Sequence, residues 1–180
     1  MAVRTILKMG HPVLQKRAEP VEDLQAESFK TLLVDMVDTM RDADGAGLAA
    51  PQIGESLQVI VFGVEKNPRY PDAEEVPMTV LINPMIEALT DEQDEAWEGC
   101  LSVPKMRGLV PRYQTIRYVG LDPQGAMIDR QVSGFHARVV QHEYDHLLGV
   151  LYPQRIRDLS RFGFEEALPE FQEKKEVEKE

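Results

Sequence analysis

The pentapeptide HEYDH, at residues 142–146, constrains the fold more than any other stretch of this chain. Residues four positions apart project from the same face of an α-helix, so His142 and His146 can share one metal ion if the segment is helical. Apolar residues recur at helical spacing at positions 139, 140, 147 and 148, and Gly149 is suited to end a helix. We therefore expect a helix over residues 136–148.

Glu143 follows the first histidine and points partly to the side of the face that the histidines share. It is suited to act as a general base on a water molecule beside a metal, which is the arrangement of the H-E-x-x-H hydrolases. A surface helix whose histidines and acids make solvated pairs would carry the same pentapeptide. The motif alone leaves both interpretations open.

A catalytic metal of this kind takes a third protein ligand, for which the sequence offers three candidates. The run HEYDHLLGVLY follows the metzincin spacing until Tyr152, a poor ligand, stands in place of histidine. Glu165 or Glu166 lies where thermolysin-like enzymes take a glutamate, but Pro169 and a charged tail follow. Cys100 is the third candidate, because a thiolate binds zinc or ferrous iron strongly.

Cys100 is the only cysteine, which excludes an internal disulfide and suits a reducing compartment. A lone cysteine is most often a small buried hydrophobe. Gly99 permits close approach of another backbone, and the polar Glu98 and Ser102 are not typical of a core strand. A cysteine nucleophile paired with a histidine is an alternative, but it leaves the two-histidine spacing unexplained.

The segment GAGLAAPQ, residues 45–52, forms a second candidate site. Gly45 and Gly47 permit positive φ and close backbone approach, and the Gln52 amide can donate to an oxyanion. The alternative is a glycine-bearing turn with a solvent-facing glutamine. The segment lacks the strand, spacing and lysine of a phosphate loop, so we expect no nucleotide site here.

The rest of the chain predicts an α+β fold, with antiparallel β-sheets packed around a central metal-binding α-helix and an N-terminal amphipathic helix. That first helix follows from apolar residues at positions 29, 32, 33, 36, 37 and 40. Residues rich in β-branched side chains predict strands at 57–64 and 78–84, joined by a surface loop. The segments 113–121 and 126–134 flank the turn sequence DPQG and predict a hairpin.

Composition limits the function. A chain of 180 residues, 43% of them hydrophobic, is expected to form one catalytic domain at residues 1–164, followed by an acidic, flexible tail at 165–180. The net charge of −11 argues against DNA or an anionic membrane as partner. There is no apolar run of the roughly 18 residues that a membrane span needs, and no signal-peptide core. We expect a cytoplasmic protein.

Three motifs, GAGLAAPQ, EGCLS and QHEYDH, resemble in sequence, order and separation the signature motifs of the peptide deformylases. The resemblance extends from about residue 5 to residue 152. It implies removal of the formyl group from the initiator methionine of nascent bacterial or organellar chains. It also implies one divalent metal ion held by Cys100, His142 and His146, with Fe²⁺ used in the cell and Zn²⁺, Ni²⁺ or Co²⁺ as working substitutes.

The resemblance also implies roles for other residues. Glu143 is expected to be the general base, with Gln52 and the backbone N–H of Leu101 as oxyanion donors and the backbone of Gly47 holding the peptide. The expected substrate-binding residues are Gly45, Ala46, Gly47, Glu98, Gly99, Arg107, Phe135, Arg138 and Val139.

Two departures from the family pattern stand out. Arg138 replaces an apolar side chain of the methionine pocket, which predicts a less apolar pocket. Similar bacterial enzymes dock on the ribosome through a basic C-terminal helix, whereas residues 165–180 carry seven Glu and three Lys. The expected partners are therefore nascent N-formylmethionyl peptides, with any ribosome contact made elsewhere than through the acidic tail.

Two alternatives from other classes remain open on the sequence. A zinc endopeptidase of the H-E-x-x-H class would cleave casein and release no formate. A non-catalytic metal-binding module would keep the fold with a decayed site, but the presence of both Glu143 and Gln52 argues against decay.

Overall fold

The computed structural model describes residues 2–65 and 74–169, which form two α-helices and eight strands. The helices are α1 (Glu27–Asp42) and α2 (Gly134–Leu147). The strands are β1 (Gly47–Ala49), β2 (Val59–Val64), β3 (Val76–Ala88), β4 (Gln93–Cys100), β5 (Val103–Tyr113), β6 (Thr115–Leu121), β7 (Met127–Ser133) and β8 (Phe162–Phe164). Short 3-10 helices lie at Pro12–Gln15, Ala50–Ile53, Tyr152–Arg155 and Leu159–Arg161.

The larger sheet has five strands in the order β1-β2-β3-β6-β7, and every pairing in it is antiparallel. Strands β6 and β7 form the predicted hairpin, with Thr115 opposite Ser133 and Leu121 opposite Met127. Its turn is closed by Asp122, whose side chain accepts from two backbone N–H groups, and by a positive φ of 82° at Gly125. The expected antiparallel sheets and the hairpin are confirmed.

The smaller sheet has the order β4-β5-β8 and carries Cys100 at the end of its first strand. Here the expectation that polar neighbours exclude a core strand is wrong. Glu98 is 5% exposed on β4, and Ser102, in the tight turn to β5, is fully buried. A buried carboxylate is tolerated in a strand when cations from elsewhere in the chain neutralise it, as Arg112 and Arg138 do here.

Two hydrophobic clusters pack on opposite faces of the larger sheet. One contains buried side chains of α1 together with Val59 and Val61 of β2. The other contains buried side chains of α2 together with Ile60 and Phe62 of the same strand. Successive strand residues point to opposite faces, so β2 is covered on both sides and reads as a continuous apolar run.

Both helices extend beyond the predicted limits by a few residues, and α2 ends as expected, since Gly149 has a φ of 74°. The boundary predicted at residue 164 is not where packing stops: Leu168 is buried, and Glu165 donates its N–H to the Lys105 carbonyl at 2.9 Å. Residues 170–180, and residues 66–73 of the predicted surface loop, lie outside the described part. No helix in the described ranges is long and apolar enough to cross a membrane.

Candidate active site

Cys100, His142 and His146 come together although 42 residues separate the cysteine from the first histidine in the sequence. Their ligand atoms all lie within 4.8 Å of one another, and they are the only such cluster of His, Cys, Asp or Glu in the described residues. Cys100 Sγ lies 3.3 Å from His146 Nε2. Two such ligands on a tetrahedral zinc ion would be about 3.5 Å apart. The donor set therefore fits a divalent ion such as zinc or ferrous iron.

The orientation of His142 is set by Glu98, whose Oε2 lies 2.9 Å from the ring Nδ1. This contact places the proton on Nδ1 and turns Nε2 toward the cluster, as in the carboxylate–histidine pairs behind many metal sites. The ring of Tyr152 lies against His142 with its centroid 6.1 Å away and nearly parallel. Tyr152 therefore packs beside a candidate ligand.

The cluster favours a thiolate at Cys100. Burial raises the pKa of the thiol, but the neighbouring His146 and His142 rings outweigh burial and hold that pKa well below its usual value. Burial lowers the pKa of His142, whereas the hydrogen bonds and charges of Cys100 and Glu98 raise it well above its ordinary range. Both shifts favour the charged forms of the two side chains, and a divalent ion would bind the thiolate and the deprotonated imidazole.

A buried ionic network lies behind the cluster, and sequence reasoning missed it. Arg112 binds both oxygens of Glu98 at 2.9 Å, and Arg138 adds a bond of 2.9 Å. Arg112 also bonds Asp145 at 2.6 Å, and Asp145 bonds Arg155 at 2.6 Å. Burial raises the pKa of Glu98, but Arg112 outweighs it and the pKa falls far below normal. The carboxylate that orients His142 is therefore held ionised.

Arg138 lines the cavity in front of the cluster, and its guanidinium is paired within the protein. Its guanidinium donates to Glu98, to the Val110 carbonyl at 2.9 Å and to the Asp94 carbonyl at 3.0 Å. The concern that Arg138 makes the pocket less apolar is therefore reduced, because groups within the protein neutralise the guanidinium and accept its hydrogen bonds.

Glu143 is 4% exposed, and its Oε2 has no hydrogen-bond partner in the described part of the chain. Burial is the main cause that raises the pKa of this carboxyl group to about 7. Gly47 lies directly against it: a Cβ added to Gly47 would sit 2.4 Å from Glu143 Oε1. Neither Gly45 nor Gly47 is among the glycines with positive φ, so close approach, and not backbone conformation, explains these glycines.

The Gln52 side chain is fixed at both ends of its amide. Oε1 accepts from the Ala49 N–H at 2.8 Å, and Nε2 donates to Ser102 Oγ at 3.1 Å and to Cys100 Sγ at 3.5 Å. The amide N–H groups therefore lie beside the candidate ligand. The alternative of a solvent-facing glutamine is wrong, because Gln52 is 1% exposed.

One cavity brings most of the predicted residues together. It is lined by Gly45, Ala46, Gly47, Gln52, Trp97, Glu98, Gly99, Cys100, Leu101, Phe135, Arg138, Val139, His142 and Glu143. Arg107 does not line it, since its guanidinium packs behind Gly99, where an added Cβ would meet Nη1 at 2.4 Å. Trp97 was missed, although the only tryptophan of the chain stands directly before EGCLS. Glu165, an alternative ligand, instead bonds Arg107.

Comparisons with known proteins agree with one another. The family model described as polypeptide deformylase matches residues 3–162. The chain is 60% identical to peptide deformylase 1 of Nitrosomonas europaea, covering 92% of this chain and 94% of that protein. It is 41% identical to the crystallised class I type b peptide deformylase of Acinetobacter baumannii bound to Met-Ala-Ser, with a TM-score of 0.82 over 86% of this chain and 99% of that one. A Thermotoga maritima peptide deformylase is 37% identical, with a TM-score of 0.77 over 88% of this chain and all of that one.

Proposed function

This chain belongs to the polypeptide deformylase family, and on that premise we propose that its cavity removes the formyl group from N-formylmethionyl peptides of newly made proteins. The observation that carries the assignment is the cluster of Cys100, His142 and His146 beside Glu143, whose Oε2 finds no hydrogen-bond partner among the described residues. Metal-dependent hydrolysis of an amide needs a metal site and a general base next to each other. The central metal-binding helix of the expected fold would be α2.

Cys100, His142 and His146 would hold one divalent ion. When bound, it would supply Lewis acidity, which acidifies a water molecule and polarises the formyl carbonyl. A ligand set of one thiolate and two imidazoles suits Fe²⁺, Zn²⁺, Ni²⁺ and Co²⁺. We propose Fe²⁺ as the ion used in the cell.

Glu143 would take the proton from the attacking water and return it to the departing amine nitrogen. Its burial supports this role because a pKa of about 7 lets a carboxyl group exchange protons near neutral pH. The added positive charge of a bound ion would favour the carboxylate, the form that accepts a proton. The products are formate and a free N-terminus.

Gln52 Nε2 and the Leu101 N–H would donate to the oxyanion that develops on the formyl oxygen. Their placement supports this role: both residues line the cavity next to Cys100, and the Gln52 amide is already fixed by Ala49 and Ser102. Donors held in place before the reaction stabilise the transition state without reorganising, and one such donor is typically worth about 10²- to 10³-fold in rate.

The peptide would lie along β1, which is the edge strand of the larger sheet and contains Gly47. An edge strand offers unpaired backbone groups to an extended peptide. The methionine side chain would enter the cavity beside Phe135, Val139 and Arg138. The structure of the Acinetobacter deformylase bound to Met-Ala-Ser supports a short peptide, such as a tripeptide, as ligand.

The cellular setting follows from the substrate. Formylated nascent chains are made in the cytoplasm of bacteria, where we propose this protein works. We further propose a single catalytic domain, which the packing of Glu165 and Leu168 extends past the expected boundary at residue 164, and an acidic C-terminal tail that takes no part in ribosome contact.

The deciding experiment is formate release from formyl-Met-Ala-Ser by the purified chain, with and without a metal chelator. We expect release that the chelator abolishes and added metal restores, with Glu143→Gln as the inactive, metal-loaded control. Casein cleavage without formate release would instead support the endopeptidase alternative. The comparisons do not favour that alternative. Metal binding with neither activity would support the non-catalytic module.

A further inference from the structure

The N-terminal segment at residues 7–9 joins the two loops of the active site. The Leu7 N–H donates to the Gln52 carbonyl at 2.8 Å, and the Met9 N–H donates to the Ser102 carbonyl at 2.8 Å. Gln52 Nε2 in turn bonds Ser102 Oγ at 3.1 Å. These contacts form a closed ring that holds the loop of Gln52 against the turn that follows Cys100.

The side chain between these two anchors makes the most direct contact. Lys8 Nζ donates to the Leu101 carbonyl at 2.9 Å. In the described residues this carbonyl is the one partner found for the ammonium, and Lys8 forms no ion pair there, although acids outnumber bases in the chain by 31 to 20. An exposed lysine in so acidic a protein usually lies near a carboxylate or in free solvent. Its position on a carbonyl beside the ligand therefore needs an explanation.

The Leu101 carbonyl belongs to the same peptide group as the Ser102 N–H, and that N–H donates to Cys100 Sγ at 3.4 Å. A cation on the oxygen of a peptide group polarises it and makes its N–H a stronger donor. The same contact fixes the plane of this peptide group. The Leu101 N–H, which the proposed function uses as an oxyanion donor, belongs to the preceding peptide group of the same residue, so the contact restrains the backbone that carries it.

We propose that Lys8 is a positioning residue of the deformylase site, which acts through the Leu101–Ser102 peptide group on the Cys100 thiolate and on the oxyanion donor. The inference rests on the proposed function. Lys8 itself touches no substrate. Its ammonium strengthens one hydrogen bond to the sulfur of Cys100 and restrains the backbone of Leu101, whose N–H would donate to the formyl oxygen.

The test uses the full chain loaded with Co²⁺ and compares Lys8→Met, which keeps the stem and removes the ammonium, with Lys8→Arg, which restores a cation. Lys16→Met is the matched control, since Lys16 is exposed and its side chain forms no hydrogen bond or ion pair in the described residues. Because the contact is solvent-exposed, we expect a moderate effect: kcat for formyl-Met-Ala-Ser falls about threefold to tenfold in Lys8→Met, with KM unchanged. The sulfur-to-cobalt absorption band should shift in Lys8→Met and not in Lys16→Met. Lys8→Arg should recover most of both properties.

Several results would overturn the inference. One is a Lys8→Met enzyme that matches Lys16→Met in kcat and in the cobalt band. Others are an equal loss of kcat in Lys8→Met and Lys8→Arg, and a Lys8→Met enzyme in which only KM rises. A lower melting temperature with an unchanged band would show a merely structural role and would also count against it. If the wild-type chain releases no formate, the proposed function fails, whereas the cobalt band still decides whether Lys8 acts on Cys100.

Discussion

Replacing Gly47 with alanine should disable the general base while leaving the metal in place. The new Cβ would lie 2.4 Å from Glu143 Oε1 and 2.6 Å from its Cγ and Cδ, where ordinary contact begins at 3.4 Å. The carboxylate must therefore retreat by about 1 Å. The side chain can do so, because it is held by no hydrogen bond to Oε2 from the described residues. A displacement of about 1 Å in a reacting group can lower the rate about 100-fold.

The assay is kcat/KM for formate release, with metal content by elemental analysis and melting temperature measured on the same sample. We expect a loss of about 100-fold, full metal occupancy and a melting temperature within a few degrees of wild type. Gly163→Ala is the matched control, since its added Cβ would find only an ordinary contact at 3.5 Å with Leu168. A Gly47→Ala enzyme with more than half of the wild-type activity would refute the reasoning that this contact sets the position of Glu143.

Four further predictions concern the site and the tail. Cys100→Ala should lose stoichiometric metal and activity together, and full occupancy by elemental analysis would contradict its role as a ligand. Glu143→Ala should keep the metal and lose about 10²-fold or more in turnover, as expected for a missing general base, and loss of the metal would show that its role is different. Arg138→Leu should lower the free energy of unfolding by about 2 kcal/mol in urea titrations, because Glu98 loses a charged hydrogen bond in a buried setting, and an unchanged midpoint would argue against it. Deleting residues 170–180 should leave short-peptide activity and ribosome co-sedimentation unchanged, since an acidic segment is repelled by RNA phosphates, and loss of co-sedimentation on truncation would identify the tail as a docking element.

Local patterns predicted the parts of the fold that depend on neighbours in sequence. The helix of HEYDH follows from apolar spacing over about three turns. The β6–β7 hairpin follows from a turn of Asp122 and Gly125 between two strands. The candidate ligand Cys100 was reached from the sequence as one of several possibilities and was then singled out by the resemblance to a family. Its proximity to the histidines is a long-range fact that no local signal contains.

The β4–β5 hairpin and its ionic network were missed for a physical reason. The β4 sequence QDEAWEGC has the charges of a solvent-facing loop, and a carboxylate can be assigned to a core only when its cations are located. For Glu98 those cations are Arg112, 14 residues away, and Arg138, 40 residues away. From the sequence, Arg138 was interpreted as a charged residue in an apolar pocket. In the structure it is the counter-ion of Glu98.

Strand β2 separates the two hydrophobic clusters on either face of the larger sheet. Val59 and Val61 pack in the cluster that contains α1 side chains, whereas Ile60 and Phe62 pack in the cluster that contains α2 side chains. A transient opening of α1 would therefore expose one face of β2 to water and leave the face that packs against α2 buried. The amide hydrogens of β2, closed in from both directions and paired with strands on either edge, should be among the last in the molecule to exchange with solvent deuterium.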